Sequence, residues 1–267
     1  MQKILVFAGA GASVESDHLS LKQDEANSDV TAIWGGESVD EICSFDAWRL
    51  AHARNDARQV MHIHNFHKGM QRLIKECKPN DFHYYIAELS KHKAYDVTIV
   101  TTNVDDLFER AGVPTTKIIH LHGSALKRRC PSCQYRFEDT TGIWQTVDQI
   151  EQCPRDHCRS RLVKTDVIFY GEQCPDYLAS IQSFNALNAG DTAIMVGSSD
   201  QTFGVAQRLW ERCRQKHVHT ININPNHEPH RLFPSDLPLL DVIGNAMTHL
   251  ELHMRIRRSV EEVVCEI

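Results

Sequence analysis

Six runs of apolar and β-branched residues recur along the chain: KILVFAGAGAS (3–13), DVTIVTTN (96–103), KIIHLHG (117–123), DVIFYGE (166–172), TAIMVGSS (192–199) and VHTININP (218–225). The first passes from a continuous apolar stretch into a Gly-rich turn, the pattern of a strand buried on both faces. Helical periodicity precedes several of the others, in AELSKHK (87–93), SIQSFNALNAG (180–190) and GVAQRLWERCRQK (204–216). Strand and helix in alternation predict a parallel sheet covered on both sides, an α/β architecture of Rossmann type.

Two stretches break the alternation. Residues 15–78 are polar, helical in pattern and rich in histidine, and they predict a helical insertion. Residues 124–165 carry four grouped cysteines and a single glycine, Gly142, and they predict a zinc-ribbon module. The two insertions are expected to form a smaller domain. Residues 1–14, 79–123 and 166–267 are left as the Rossmann-like domain.

A chain of 267 residues, 42% hydrophobic and 24% charged, can bury a full core. No apolar run approaches the roughly 18 residues a membrane helix requires, and MQKILVFAGAGAS reads as a first strand rather than a signal peptide. A formal net charge of -6 gives no general attraction for nucleic acid or anionic membrane. Lys127, Arg128 and Arg129 form a cluster that could bind acidic groups locally, or that reads as a solvated turn. The nine cysteines are odd in number and four are grouped, which fits metal binding in a reducing, cytoplasmic setting better than a secreted disulfide framework. A monomer is the default expectation.

The grouped set, Cys130-x2-Cys133 and Cys153-x4-Cys158, offers two close pairs of soft thiolates, as tetrahedral zinc requires. A closed four-thiolate site would be structural. Free thiols or a redox pair are the alternative, and His157 is a substitute ligand. In GAGAS, Gly9 and Gly11 permit close backbone approach to a diphosphate, or simply make a tight turn after the strand. Asn103, Asp105 and His122 follow the second and third strands, at the carboxyl ends where open α/β sheets hold ligands. Asp105 reads equally as a helix cap, and His120 as structural. His122 is the candidate general base, because imidazole titrates near neutrality.

These motifs, taken in order, resemble the sirtuin family, the NAD-dependent protein deacylases. GAGAS (9–13) resembles its Gly-Ala-Gly-x-Ser, KPNDFH (78–83) its Lys-Pro-Asn-x-x-His and TTNVD (101–105) its Thr-Gln-Asn-x-Asp. LHG (121–123) resembles the segment with the catalytic histidine, and VIFYGEQCP (167–175) the Phe-Gly-Glu strand that binds substrate. VGSS (196–199) and ININP (221–225) resemble its Gly-Thr-Ser and Ile-Asn-x-x-Pro segments, and the four cysteines its zinc module. The resemblance implies that the acyl-lysine carbonyl oxygen attacks the NAD ribose carbon as nicotinamide leaves, with His122 as base on a ribose hydroxyl. It implies that Asn103 contacts the ribose and orders water, and that Asp105 binds the nicotinamide carboxamide. Gly9, Ala10, Gly11, Ser13, Thr102, Gly197, Ser198, Ser199 and Asn222 would line the rest of NAD. Phe169, Tyr170, Gly171 and Glu172 would pair with an extended substrate peptide.

The chain departs from the family pattern after GAGAS. SDHLSLK (16–22) stands where a Gly-Ile-Pro-Asp-Phe-Arg type loop is usual, Thr102 replaces a glutamine and Asp106 a glycine. An NAD hydrolase, an ADP-ribosyltransferase and a non-catalytic NAD-binding module are therefore competing readings. HIHNFH (62–67) reads as packed or exposed histidines before it reads as a metal site. The terminal MRIRRSVEEVVCEI reads as a packed helix, and no role is expected for Cys174 or Cys213.

Overall fold

The computed structural model describes residues 1–16, 38–198, 204–223 and 239–242. In chain order the elements are β1 (Gln2–Ala8), α1 (Val39–Ile42), α2 (Phe45–Ala53), α3 (Ala57–Glu76), α4 (Asp81–Lys91), β2 (Tyr95–Thr101), α5 (Leu107–Ala111) and β3 (Ile118–His120). Then follow β4 (Lys127–Arg129), β5 (Arg136–Glu138), β6 (Lys164–Thr165), α6 (Tyr177–Asn185), β7 (Thr192–Val196), α7 (Val205–Lys216), β8 (His219–Ile223) and β9 (Leu239–Val242).

Six strands form one parallel sheet in the order β3-β2-β1-β7-β8-β9. The order reverses between β1 and β7, the switch point at which such sheets open a crevice beyond their carboxyl ends. Side chains alternate along β1. Ile4, Val6 and Ala8 pack with Phe82, Ile86 and Leu89 of α4, while Leu5 and Phe7 pack with Phe184 of α6 and with Leu209 and Trp210 of α7. Both faces are apolar because both are covered, which is why the run in the sequence is unbroken.

A second core joins α1–α3 to the stretch that follows β3. Ile42, Trp48, Ile63 and Met70 pack with Ala125, Trp144, Val167 and Phe169. Ser44 caps α2 by accepting from Ala47 N, and Asp56 caps α3 by accepting from Gln59 N. Strands β5, β4 and β6 make a small antiparallel sheet in that order.

Two expectations change here, and a third reading, of the histidines at 62–67 as packed or exposed side chains, stands. DVIFYGE is not a strand of the main sheet. Beyond β6 it runs as a loop with one parallel bridge, Ser44 to Tyr170, because Val167 and Phe169 bury into the second core and Gly171 turns the chain at φ +81°. Lys127-Arg128-Arg129 is not a solvated turn. It is β4, and Arg128 and Arg129 are each 1% exposed. His64 and His67 do not form a metal site. His64 stacks on Trp144 at 3.4 Å between ring centroids, and it bonds Gly142 O through Nε2 while accepting from Arg128 through Nδ1. His67 Nε2 donates to Ile42 O, and His62 is exposed. His64 joins the helical segment to the cysteine-bearing one, and His67, stacked on Phe169, joins it to the loop after β6. Among the described residues, no helix is long and apolar enough to cross a membrane. The terminal stretch 254–267 lies outside the described residues.

Candidate active site and cysteine centre

The carboxyl ends of β1, β2, β3 and β7 deliver the predicted motifs to one edge of the sheet. After β1, Ala10–Ser13 forms a single 3-10 turn. Gly9 N donates to Val196 O at 2.8 Å and Gly11 N to Gly197 O at 2.9 Å. A Cβ on Gly9 would lie 2.5 Å from Gly197 O, and one on Gly197, at φ +57°, would lie 2.3 Å from Gly11 Cα. The glycines are thus required first for contact between two backbone segments. Asn80 secures the turn from α4, its Nδ2 donating to Ala12 O.

Ser13, Asn103 and Asp105 form a buried chain of hydrogen bonds. Ser13 Oγ donates to Asp105 Oδ2 and accepts from Asn103 Nδ2, each at 3.0 Å. Asp105 Oδ1 accepts from Leu107 N at 3.1 Å, so the same carboxyl also steadies the start of α5. Burial raises the Asp105 pKa, against the lowering effect of its bonds to Leu107 N and Ser13. Asn103 Oδ1 is buried without a hydrogen-bond partner among the described residues, an acceptor suited to a ligand hydroxyl or a water. The Thr102 hydroxyl turns to Ala8 O.

His120 and His122 sit two positions apart, and their surroundings shift their pKa values in opposite directions. His120 Nε2 lies 2.7 Å from Glu109 Oε1 and Nδ1 3.3 Å from Asn103 O. Burial opposes its charge, but the Glu109 hydrogen bond and charge together raise its pKa, and both ring nitrogens face acceptors. Its two contacts hold Asn103 through the main chain and favour the protonated ring. For His122, burial lowers the pKa and a bond with the Thr102 backbone only partly offsets this. His122 is therefore a neutral imidazole at pH 7, the form a base requires. Gly123 follows at φ +76°, where a Cβ would lie 1.8 Å from Asp166 O, and Ile168 N donates to His122 O at 2.9 Å. The histidine is pinned to the loop after β6. Cys174, given no role by its spacing, donates from Sγ to Leu121 O and braces the same strand end.

Across the crevice, Gly197 N donates to Ile223 O, and Ser198 is half-buried beside it. Ser199, residues 17–22 and the side chain of Asn222 lie outside the described residues. In the loop after β6, Tyr170 N donates to Cys43 O and Tyr170 O accepts from Phe45 N, so both its main-chain groups are committed. Glu172 N closes a turn onto Phe169 O at 3.0 Å, and Phe169 N donates to Glu172 Oε2. Exposed Gly171 forms the tip.

The sulfur atoms of Cys130, Cys133, Cys153 and Cys158 lie within 4.8 Å of one another. Cys130 and Cys158 are 3.7 Å apart, and Cys133 and Cys153 are 3.6 Å apart. A tetrahedron with metal–sulfur bonds near 2.3 Å has edges of roughly 3.8 Å, whereas a disulfide would need about 2.05 Å. The geometry suits a closed four-thiolate zinc site. His157 is exposed and outside the group.

A parallel sheet whose order reverses at β1 and β7, with a neutral histidine and a Ser–Asn–Asp chain at its carboxyl edge and a four-cysteine cluster in the next segment, has the layout of an α/β ligand-binding fold with a cysteine-rich module. The profile of the Sir2 family matches residues 9–204, and the chain belongs to that family. It is 31% identical over 230 residues to the NAD-dependent protein deacylase Sir2 of Mycolicibacterium smegmatis, covering 85% of this chain and 86% of that one. It is 29% identical over 224 residues to an NAD-dependent protein deacylase of Helicobacter hepaticus, covering 78% and 79%. The solved structure of a Sir2 homologue variant with ADP-ribose superposes with a TM-score of 0.73 at 24% identity, covering 98% of this chain and 93% of that one.

Proposed function

We propose that this protein is an NAD-dependent protein deacylase that moves an acyl group from lysine to ADP-ribose and releases nicotinamide. The observation that carries this reading is a neutral His122 at the same sheet edge as the Ser13–Asn103–Asp105 chain, in a chain of the Sir2 family. NAD is the co-substrate. The cysteine centre would hold a structural zinc, which supplies no chemistry at the crevice because a closed four-thiolate site has no open position.

In this reading Asp105 and Ser13 meet the nicotinamide side of the crevice, and Asn103 Oδ1 accepts from the ribose or from a water. The acyl carbonyl oxygen forms a bond to the ribose carbon as the bond to nicotinamide breaks. His122 then takes the proton of a ribose hydroxyl, whose oxygen bonds to the acyl carbon. The carbon–nitrogen bond breaks and the lysine leaves as its amine with a proton. A water adds to the acyl carbon as the first ribose carbon keeps the original carbonyl oxygen as a hydroxyl. The turn at Phe169–Glu172 receives the peptide. Tyr170 is already paired, which leaves the exposed Gly171 as the main-chain group facing it. The thiolate centre favours a reducing compartment, and we place the protein in the cytoplasm.

SDHLSLK in place of the usual cofactor-covering loop favours a second reading, NAD hydrolysis or ADP-ribose transfer. Incubation with NAD and a panel of acyl-lysine peptides, followed by mass spectrometry beside a His122→Ala control, separates the two. Peptide-dependent acyl-ADP-ribose that requires His122 is expected. Free ADP-ribose without peptide dependence would replace the deacylase reading by hydrolysis, and NAD binding without turnover would reduce it to a binding module.

A further inference from the structure

Glu172 belongs to the stretch expected to meet substrate, yet its side chain is only 5% exposed and points inward. One carboxylate oxygen, Oε1, pairs with Arg129 Nη2. The other lies 3.0 Å from Lys164 Nζ and also accepts from Phe169 N at 3.0 Å. Arg129 and Lys164 are direct partners across the antiparallel pair β4–β6, and both side chains are 1% exposed. Two like charges placed opposite each other in a ladder repel, and burial strengthens the repulsion. Glu172 sits between them with one oxygen for each. Asp166 adds a second carboxylate, 3.2 Å from Arg129 Nε and 3.1 Å from Arg136 Nε.

The arrangement spans two parts of the molecule. Arg129 precedes Cys130, a member of the thiolate group. Glu172 closes the turn whose tip is Tyr170–Gly171, and the same loop holds His122 and Gly123 through Ile168 and Asp166. A buried ion pair adds little stability that apolar packing would not supply, and its best-attested use is to fix register.

We propose that Glu172 is a positioning residue, clamped by Arg129 and Lys164, that carries the geometry of the cysteine-bearing sheet to the turn Phe169–Glu172 and so sets its affinity for peptide. This rests on the reading that the turn receives the acyl-lysine peptide. Glu172 itself touches no substrate.

The test uses the full-length, metal-loaded protein as wild type, Glu172→Gln, Arg129→Met and the double variant. Glu172→Gln keeps an acceptor for Phe169 N while losing the charge that separates Arg129 from Lys164, whereas Arg129→Met leaves Glu172 paired with Lys164 and Asp166 paired with Arg136, so that this second variant strands no buried ion. Hydrogen exchange over residues 166–173, zinc content, KM for NAD and Kd for an acyl-lysine peptide are measured. The single variants are expected to bind peptide roughly tenfold more weakly, as when outer partners of a site are removed, and to exchange faster over 166–173. Zinc content and KM for NAD should be unchanged, and the two single effects should not add in the double variant. Unchanged exchange and peptide affinity would overturn the clamp, as would faster exchange spread equally over β1 and α4. Faster local exchange in variants of a wild-type protein that binds no acyl-lysine peptide would keep the clamp and overturn the functional reading of the turn.

Discussion

His120 and His122 show how neighbours in one strand end are tuned apart. The Glu109 carboxylate raises the His120 pKa against the effect of burial, and burial lowers that of His122. The acid limb of kcat/KM is therefore expected below the ordinary histidine range near 6.5, and a pH–rate profile with its limb above that value would remove His122 from the role of base. Glu109→Gln takes away the partner that charges His120, and with it the firm donor to Asn103 O. Activity should fall roughly 10- to 100-fold through misplacement of Asn103, with peptide affinity unchanged by titration. Gly197→Ala acts on the scaffold. The left-handed conformation alone costs about 1–3 kcal/mol for a residue with a side chain, and the contact with Gly11 adds to it. A clear drop in melting temperature is expected, together with weaker NAD binding.

At the scale of elements, α3 is joined through neutral histidines to its surroundings, His64 to the cysteine-bearing segment and His67 to the loop after β6. Burial holds the pKa of both His64 and His67 down to about 3. The unfolded chain takes up these protons below about 6.5 and the folded one does not, so this stability is complete above that pH and is lost as pH falls towards 3. Each group loses about 1.4 kcal/mol per pH unit inside the window. Urea midpoints measured between pH 7 and 5 should fall steeply, and less steeply in His67→Phe. The sequence showed α3 as a helix with histidines but not what they touch, since Gly142 and Trp144 lie 78 and 80 positions further along. The main sheet was legible because short continuous apolar runs bounded by turns have few other uses. DVIFYGE was misread because Val167 and Phe169, spaced like inward positions of a strand, bury equally well from a loop. Arg128 and Arg129 looked solvated because their partners Glu151, Asp166 and Glu172 are distant in sequence. The crevice residues were legible as motifs, while the link from Glu109 through His120 to Asn103 had no sequence signal.

At the scale of the molecule, the cysteine-bearing segment has little apolar core of its own. Cys130, Cys153 and Val163 are its buried centre, with Phe137 and the other two cysteines packed against them. Metal must supply what packing does not. One zinc per chain is expected by elemental analysis, and its removal by chelator should lower the melting temperature and weaken peptide binding more than NAD binding. Equal loss of both would show that the metal supports the whole fold rather than this side of it.

The opposed pair Arg129 and Lys164, bridged by one carboxylate, also constrains how this protein can change over time. Replacing Glu172 leaves two interior cations opposite each other with no carboxylate between them, and replacing either cation leaves that carboxylate half-paired, so the charges there are inherited as a sum. Among related sequences these three positions should vary together or not at all, and a lineage that replaced them with apolar side chains would have crossed a disfavoured intermediate to do so.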